Sequence, residues 1–135
     1  RRKMHRAARG LARIAPPVAA LAASPLARAV ETARIVAPAL GLRRFEELPE
    51  LAPLAPPEAL LPWLRRQGRR RAVAIVGHEP HLGRLVSWLA SGGEEPFLEL
   101  GKGGACLVVL PPRPRAGSGR IEWVLAPGQL RKLAR

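Results

Sequence analysis

Apolar residues recur along the first fourteen positions at spacings of three and four, as Met4, Ala8, Leu11 and Ala12. That spacing predicts an amphipathic helix over 1–14, which Pro16 and Pro17 end. Val18 to Ala23 is unbroken apolar, the pattern of a short strand buried on both faces. The helical period returns over 26–40, with Leu26, Ala29, Val30, Ala33, Val36, Ala37 and Leu40 on one stripe. Ser24 is placed to cap this helix, with Pro25 at its first position and Gly41 as its stop. Pro38 should weaken or end it early. Residues 43–57 are rich in Pro and Glu and read as a loop with at most a short strand. Pro57 to Gln67 reads as a second short helix, stopped by Gly68. Ala72 to Val76 is the clearest strand. Gly77-His78-Glu79-Pro80 follows, then a helix over 81–90 with Leu82, Leu85, Val86 and Leu89 inward. Ala105–Leu110 and Ile121–Leu125 read as strands of an antiparallel hairpin, and 127–135 as a last short helix.

Strands alternate with helices up to residue 90, which predicts a parallel sheet covered on both faces, an α/β sandwich. The chain has 135 residues, no internal repeat and no composition break, so a single domain over 1–135 is expected. In such sheets ligands sit beyond the carboxyl ends of the strands. The junctions after Ala23 and after Val76 are therefore the places to look for chemistry.

Composition narrows that chemistry. All ten acidic residues are Glu; Asp, Asn and Tyr are absent. This excludes an Asp nucleophile, an Asp-oriented serine triad and an EF-hand loop. A single cysteine, Cys106, excludes an internal disulfide and a cysteine-rich zinc site. No apolar stretch approaches the ~20 residues that span a bilayer, and no signal-peptide pattern opens the sequence. A soluble cytoplasmic protein without membrane contact is expected. The net charge of +13 favours anionic partners without saying which.

At the first junction, Arg28 lies one turn into a helix, near its amino end. There the backbone N–H groups and the dipole favour an anion, and a guanidinium adds a planar fork of donors. The alternative is one more surface Arg among twenty. At the second junction, His78 directly follows a strand, and Gly77 lets the backbone turn or approach a ligand. His78 can donate to an anion or exchange a proton near neutral pH; a capping or core role is the alternative. His81 reads as a first-turn helix residue. Glu79 is explained by the helix dipole. Together, Arg28, His78 and two helix amino termini suit a phosphate group.

The same residues carry a family resemblance. Ser24-Pro25-Leu26-Ala27-Arg28-Ala29-Val30-Glu31-Thr32 resembles the S-P-x-x-R-A-x-x-T segment of the histidine phosphatase superfamily. Val76-Gly77-His78-Glu79-Pro80-His81-Leu82 is similar to the V-G-H-x-P-x-L segment of its small phosphohistidine phosphatase (SixA) branch. Leu125-Ala126-Pro127-Gly128-Gln129-Leu130 resembles that branch's ending. The resemblance implies a three-layer α/β/α, phosphoglycerate-mutase-like sandwich with a mostly parallel sheet. It also implies two-step phosphoryl transfer with no metal and no cofactor. A nucleophilic His takes the phosphoryl group and water releases it, while two Arg and a second His bind its oxygens. By this resemblance Arg28 is the Arg of the second motif and His78 the second His, both phosphate-binding. The implied substrate is a phosphorylated protein or a small phosphoester, including phosphosugars and nucleotide intermediates.

One departure stands out. The family's nucleophile sits in an R-H-G motif at the end of its first strand, and this sequence has no R-H-G. His5, between Met4 and Arg6 in a basic helix, does not match it. The expectation is a chain truncated before its first strand, with the nucleophile upstream of Arg1, a gap in the sheet and no activity alone. A nucleic-acid-binding module is the competing class, resting on the charge, the basic first helix and the Arg69–Arg71 run. Five aromatic residues and no helix-turn-helix or zinc-finger spacing weigh against it. Gly101-Lys102-Gly103-Gly104 lacks the Ser/Thr and spacing of a Walker loop.

Overall fold

The structure is a computed structural model and describes residues 1–68 and 72–134. The Arg69–Arg71 run and the last residue of the expected terminal helix lie outside the described residues. In chain order the elements are α1 (Arg2–Ile14), β1 (Ala20–Ala23), α2 (Ala27–Ala39), β2 (Glu46–Glu47), α3 (Leu61–Arg66), β3 (Val73–Val76), α4 (His81–Ser91), β4 (Ala105–Val109), β5 (Arg120–Leu125) and α5 (Pro127–Leu133). Two 3-10 turns, Pro49–Leu51 and Pro57–Leu60, precede α3.

β1 is central in a parallel sheet of order β2-β1-β3. Its register pairs Ala20 with Val73 and Ala23 with Val76, so β1 and β3 end side by side. Successive strand residues face opposite sides, and the core divides accordingly. Leu21, Ala23, Ala74 and Val76 pack with Ala8 of α1 and Ala33, Val36 and Ala37 of α2. Ala22, Val73 and Ile75 face the other way, onto Leu51, Leu60, Trp63, Leu85 and Leu89. This is the three-layer α/β/α arrangement. Trp88 packs against the second cluster, a core role rather than an exposed stacking platform.

β4 and β5 form a separate antiparallel pair, with a register shift between Leu107 and Val108. Among the described residues β3 pairs only with β1. This explains why Val73–Val76, apolar throughout, are half-buried rather than buried. A β strand with one free edge keeps part of its surface accessible.

Four expectations need correction. Ser24 does not cap α2: the helix begins at Ala27, Leu26 is its N-cap residue, and no side chain caps it. Ser24 Oγ instead accepts from the Leu26 N–H at 3.2 Å, closing a turn before the helix. Leu26, outside the helix, is 46% exposed rather than part of the buried stripe. On α1 the buried residues are Ala7, Ala8 and Gly10, so the packed face is turned away from Ala12, which is half-buried. Its cause is α5: a Cβ on Gly10 would lie 1.8 Å from the Leu130 carbonyl oxygen, so the backbones of α1 and α5 touch there. Leu82 is half-buried, while Leu85, Val86 and Leu89 are buried as expected.

Candidate phosphate site at the carboxyl edge of the sheet

β1 and β3 both end at the junctions singled out by the sequence. The Ser24 N–H donates to the Val76 carbonyl at 2.9 Å, extending the ladder one residue beyond β1. This fixes Ser24 beside the turn at Gly77, and Ser24 is fully buried, at 0% exposure. From there Ser24 Oγ lies 2.8 Å from His78 Nε2. Two side chains 54 residues apart in sequence thus meet across the strand ends. The His78 carbonyl accepts from the Leu82 N–H at 2.7 Å, tying the same residue to the start of α4. His78 is half-buried; among the described residues its Nδ1 has no hydrogen-bond partner, and it is not one of the buried orphan atoms, so it reaches solvent.

Arg28 is the second residue of α2, four positions after Ser24, and exposed. Among the described residues it has no hydrogen bond or ion pair; the ion pair found there, Arg120 with Glu122, lies on β5. α2 and α4 are 13 and 11 residues long and both begin at this edge. The amino terminus of α2, which no side chain caps, adds positive potential, whereas the first N–H groups of α4 are taken up by the His78 carbonyl, the Glu79 carboxylate and the Pro80 carbonyl. The edge therefore brings the His78 imidazole beside the chain that leads into the uncapped amino terminus of α2, whose first turn carries Arg28. Such a set can bind an oxyanion and offset charge that builds on it.

The neighbouring groups have structural work. The Glu79 carboxylate accepts from the Gly83 N–H at 2.8 Å and from the Leu100 N–H. It thereby ties the first turn of α4 to the segment before β4. The Glu79–Pro80 peptide is cis. His81 opens α4, is 4% exposed, and donates from Nε2 to the Ala55 carbonyl at 3.0 Å. Among the described residues its buried Nδ1 has no hydrogen-bond partner. Burial pushes its pKa below the usual 6.5, against the opposing hydrogen bond to Ala55. These partners favour the helix-start reading of both residues. A cleft of about 430 Å³ beside Glu79 is lined by Glu79, Pro80, Pro96, Phe97, Leu98 and Glu99. Its two carboxylates and lack of a basic group give it the wrong sign for phosphate. A second depression of about 350 Å³ holds Arg34, Arg43, Arg44 and Phe45, toward the other end of α2. Among the described residues no three His, Cys or Glu side chains cluster closely enough to ligate a metal.

Sequence reasoning selected Arg28 and His78 but assigned Ser24 only to a helix cap. The available signal was the position of Ser24 at the end of an apolar run, mirrored by Gly77-His78 at the end of another.

An α/β/α sandwich with an anion-suited edge at its switch point is the class that fold and site define. The model of the histidine phosphatase superfamily (branch 1) matches residues 1–54, a stretch that contains Ser24 and Arg28 and stops short of His78. The solved structure of the protein histidine phosphatase SixA complexed with tungstate is similar over 94% of this chain and 80% of that one. The TM-score is 0.79 and the sequence identity 25%. Both findings bear out the resemblance to the superfamily and to its SixA branch, and support a phosphatase. No curated protein matches the sequence. Among the described residues no helix is long and apolar enough to cross a membrane.

Proposed function

We propose that Ser24, Arg28 and His78 form part of the phosphate site of a SixA-type phosphatase. The substrate is phosphohistidine on a protein or a small phosphoester. The observation that carries this reading is the 2.8 Å bond between Ser24 Oγ and His78 Nε2, at strand ends that open onto the α2 amino terminus bearing Arg28. Tungstate, bound by the similar SixA structure, is an oxyanion like phosphate.

In the proposed reaction a histidine nitrogen attacks phosphorus. An N–P bond forms as the bond to the leaving nitrogen or oxygen breaks, and that atom departs with its electron pair. Water then attacks the phosphohistidine, releases phosphate and restores the imidazole. Charge shifts onto the phosphoryl oxygens and the leaving group in both steps. The Arg28 guanidinium and a His78 ring N–H meet it with donors already in place, so positioning and electrostatics supply most of the rate. Neither His5 nor His81 suits the nucleophile: His5 is exposed on α1, with Nδ1 against the Arg1 carbonyl at 2.9 Å, and His81 is buried against Ala55. On this reading none of the three histidines of residues 1–135 is the nucleophile, a histidine of an R-H-G segment supplies it, and residues 1–135 alone are inactive.

The test is hydrolysis of a chromogenic phosphate ester and of a phosphohistidine peptide by residues 1–135 and by a chain extended upstream through an R-H-G segment. Turnover is expected from the extended chain alone. Arg28→Ala or His78→Ala in that chain should each lower kcat by about 10²–10³ with the fold intact. Equal turnover by residues 1–135, or normal kinetics in both variants, contradicts the reading.

A further inference from the structure

The hydroxyl of Ser24 is fully buried, so its proton needs an acceptor inside the protein. One oxygen lone pair already receives the Leu26 N–H at 3.2 Å. Among the described residues the remaining hydrogen-bond partner of the hydroxyl is His78 Nε2, at 2.8 Å. Two proton arrangements fit that distance. In one, Ser24 O–H donates to a bare Nε2, and every polar atom of Ser24 is satisfied. In the other, Nε2–H donates to Ser24 Oγ, and the hydroxyl proton is left buried with no acceptor. The second leaves a buried donor unsatisfied, which costs about 1–3 kcal/mol.

From this arrangement we infer that Ser24 is a positioning residue that holds neutral His78 as the Nδ1–H tautomer. The solvent-reaching nitrogen is then a donor rather than an acceptor. A neutral imidazole can present either a lone pair or a proton to a ligand, depending on the bond made by its other nitrogen. An oxyanion is repelled by a lone pair and bound by an N–H. Ser24 thus selects the form of His78 that suits phosphate before any ligand arrives. The inference deepens the phosphate-site reading and rests on it only for the use of the outward N–H; the tautomer follows from burial and hydrogen bonding alone.

Ring ¹⁵N resonances of the labelled protein, recorded above the titration range of imidazole, test it. His78 is assigned by the signals missing from His78→Gln. The expected result is a pyridine-type shift at Nε2 and a pyrrole-type shift with its proton at Nδ1. The reverse assignment in the wild-type protein overturns the inference, with no variant needed. Ser24→Ala should abolish the single-tautomer signature and give averaged shifts, and Ser24→Thr, which restores the hydroxyl, should bring it back. A purely structural role for Ser24 predicts no change in tautomer in the alanine variant, and that outcome also overturns the inference. Titration with inorganic phosphate should move the Nδ1–H signal. If that signal stays fixed while the tautomer is as expected, the inference is upheld and the phosphate-site reading fails.

Discussion

The separate costs of removing Ser24 and of removing His78 should add to more than the cost of removing both. His78→Ala takes away the acceptor of a hydroxyl with no exposure, leaving its proton buried and unpaired. A stranded buried donor costs about 1–3 kcal/mol. Ser24→Ala removes the partner of His78 Nε2 and also the acceptor of the Leu26 N–H. In the double variant the hydroxyl is gone, so the penalty carried by His78→Ala largely disappears. The lost packing of the imidazole and the lost Leu26 bond enter both sides of the thermodynamic cycle and cancel. The coupling energy left is about 1 kcal/mol or more, equivalent to a melting shift of about 3–4 °C for a domain of this size. Urea unfolding of the wild-type protein and the three variants measures it. Additivity within about 0.3–0.5 kcal/mol would refute the argument, because groups that share no bond behave that way.

Other consequences concern the frame around the site. Gly10→Ala raises helix propensity by about 1 kcal/mol, yet its Cβ would sit 1.8 Å from the Leu130 carbonyl oxygen. Backbone must move, overpacking of this kind costs about 1–3 kcal/mol or more, and the variant should melt lower than wild type; an equal or higher melting temperature would show that α1 and α5 do not touch there. His81 is buried with its pKa below 6.5, so the unfolded chain takes up its proton first as pH falls. Stability from this group is present above 6.5 and is lost as pH drops toward the folded value; His81→Gln should flatten that part of a stability–pH profile, and an unchanged slope would remove His81 as its cause. Burial pushes the Cys106 thiol up from 9.0 to about 11, so at pH 8 its thiolate fraction is about a hundredfold below that of an unperturbed thiol. Alkylation by iodoacetamide at pH 8 should be slowed to match, and labelling at the rate of a free thiol would contradict the burial.

The architecture was legible because its signals are local. The apolar run before Ser24 and the run before Gly77 became paired strands, and the three-and-four spacing of Ala29, Val30, Ala33, Val36 and Ala37 became the buried face of α2. The hairpin was legible from two largely apolar segments joined by a turn rich in Pro, Gly and Arg. What escaped depends on partners distant in sequence. Ser24 looks like a helix cap until the parallel register of β1 and β3 sets His78 within 2.8 Å of it. Gly10 looks like a weak point in a helix until α5 crosses it. Glu79 looks like a dipole partner, and only the folded chain shows its carboxylate also holding the Leu100 N–H. The half-exposure of β3 has the same origin. An apolar run predicts burial on both faces, but whether a strand has a neighbour on each edge is decided by the rest of the sheet.

The central claim is that the carboxyl edge of β1 and β3 binds a phosphate through Arg28 and His78. Calorimetric titration of the protein with inorganic phosphate, repeated for Arg28→Ala and for Arg13→Ala in the last turn of α1, tests it most directly. A charge-assisted hydrogen bond contributes about 1.5–3 kcal/mol, so loss of the Arg28 guanidinium should weaken binding by about tenfold or more, while Arg13→Ala leaves it nearly unchanged. Equal affinity in the wild-type protein and Arg28→Ala would contradict the account.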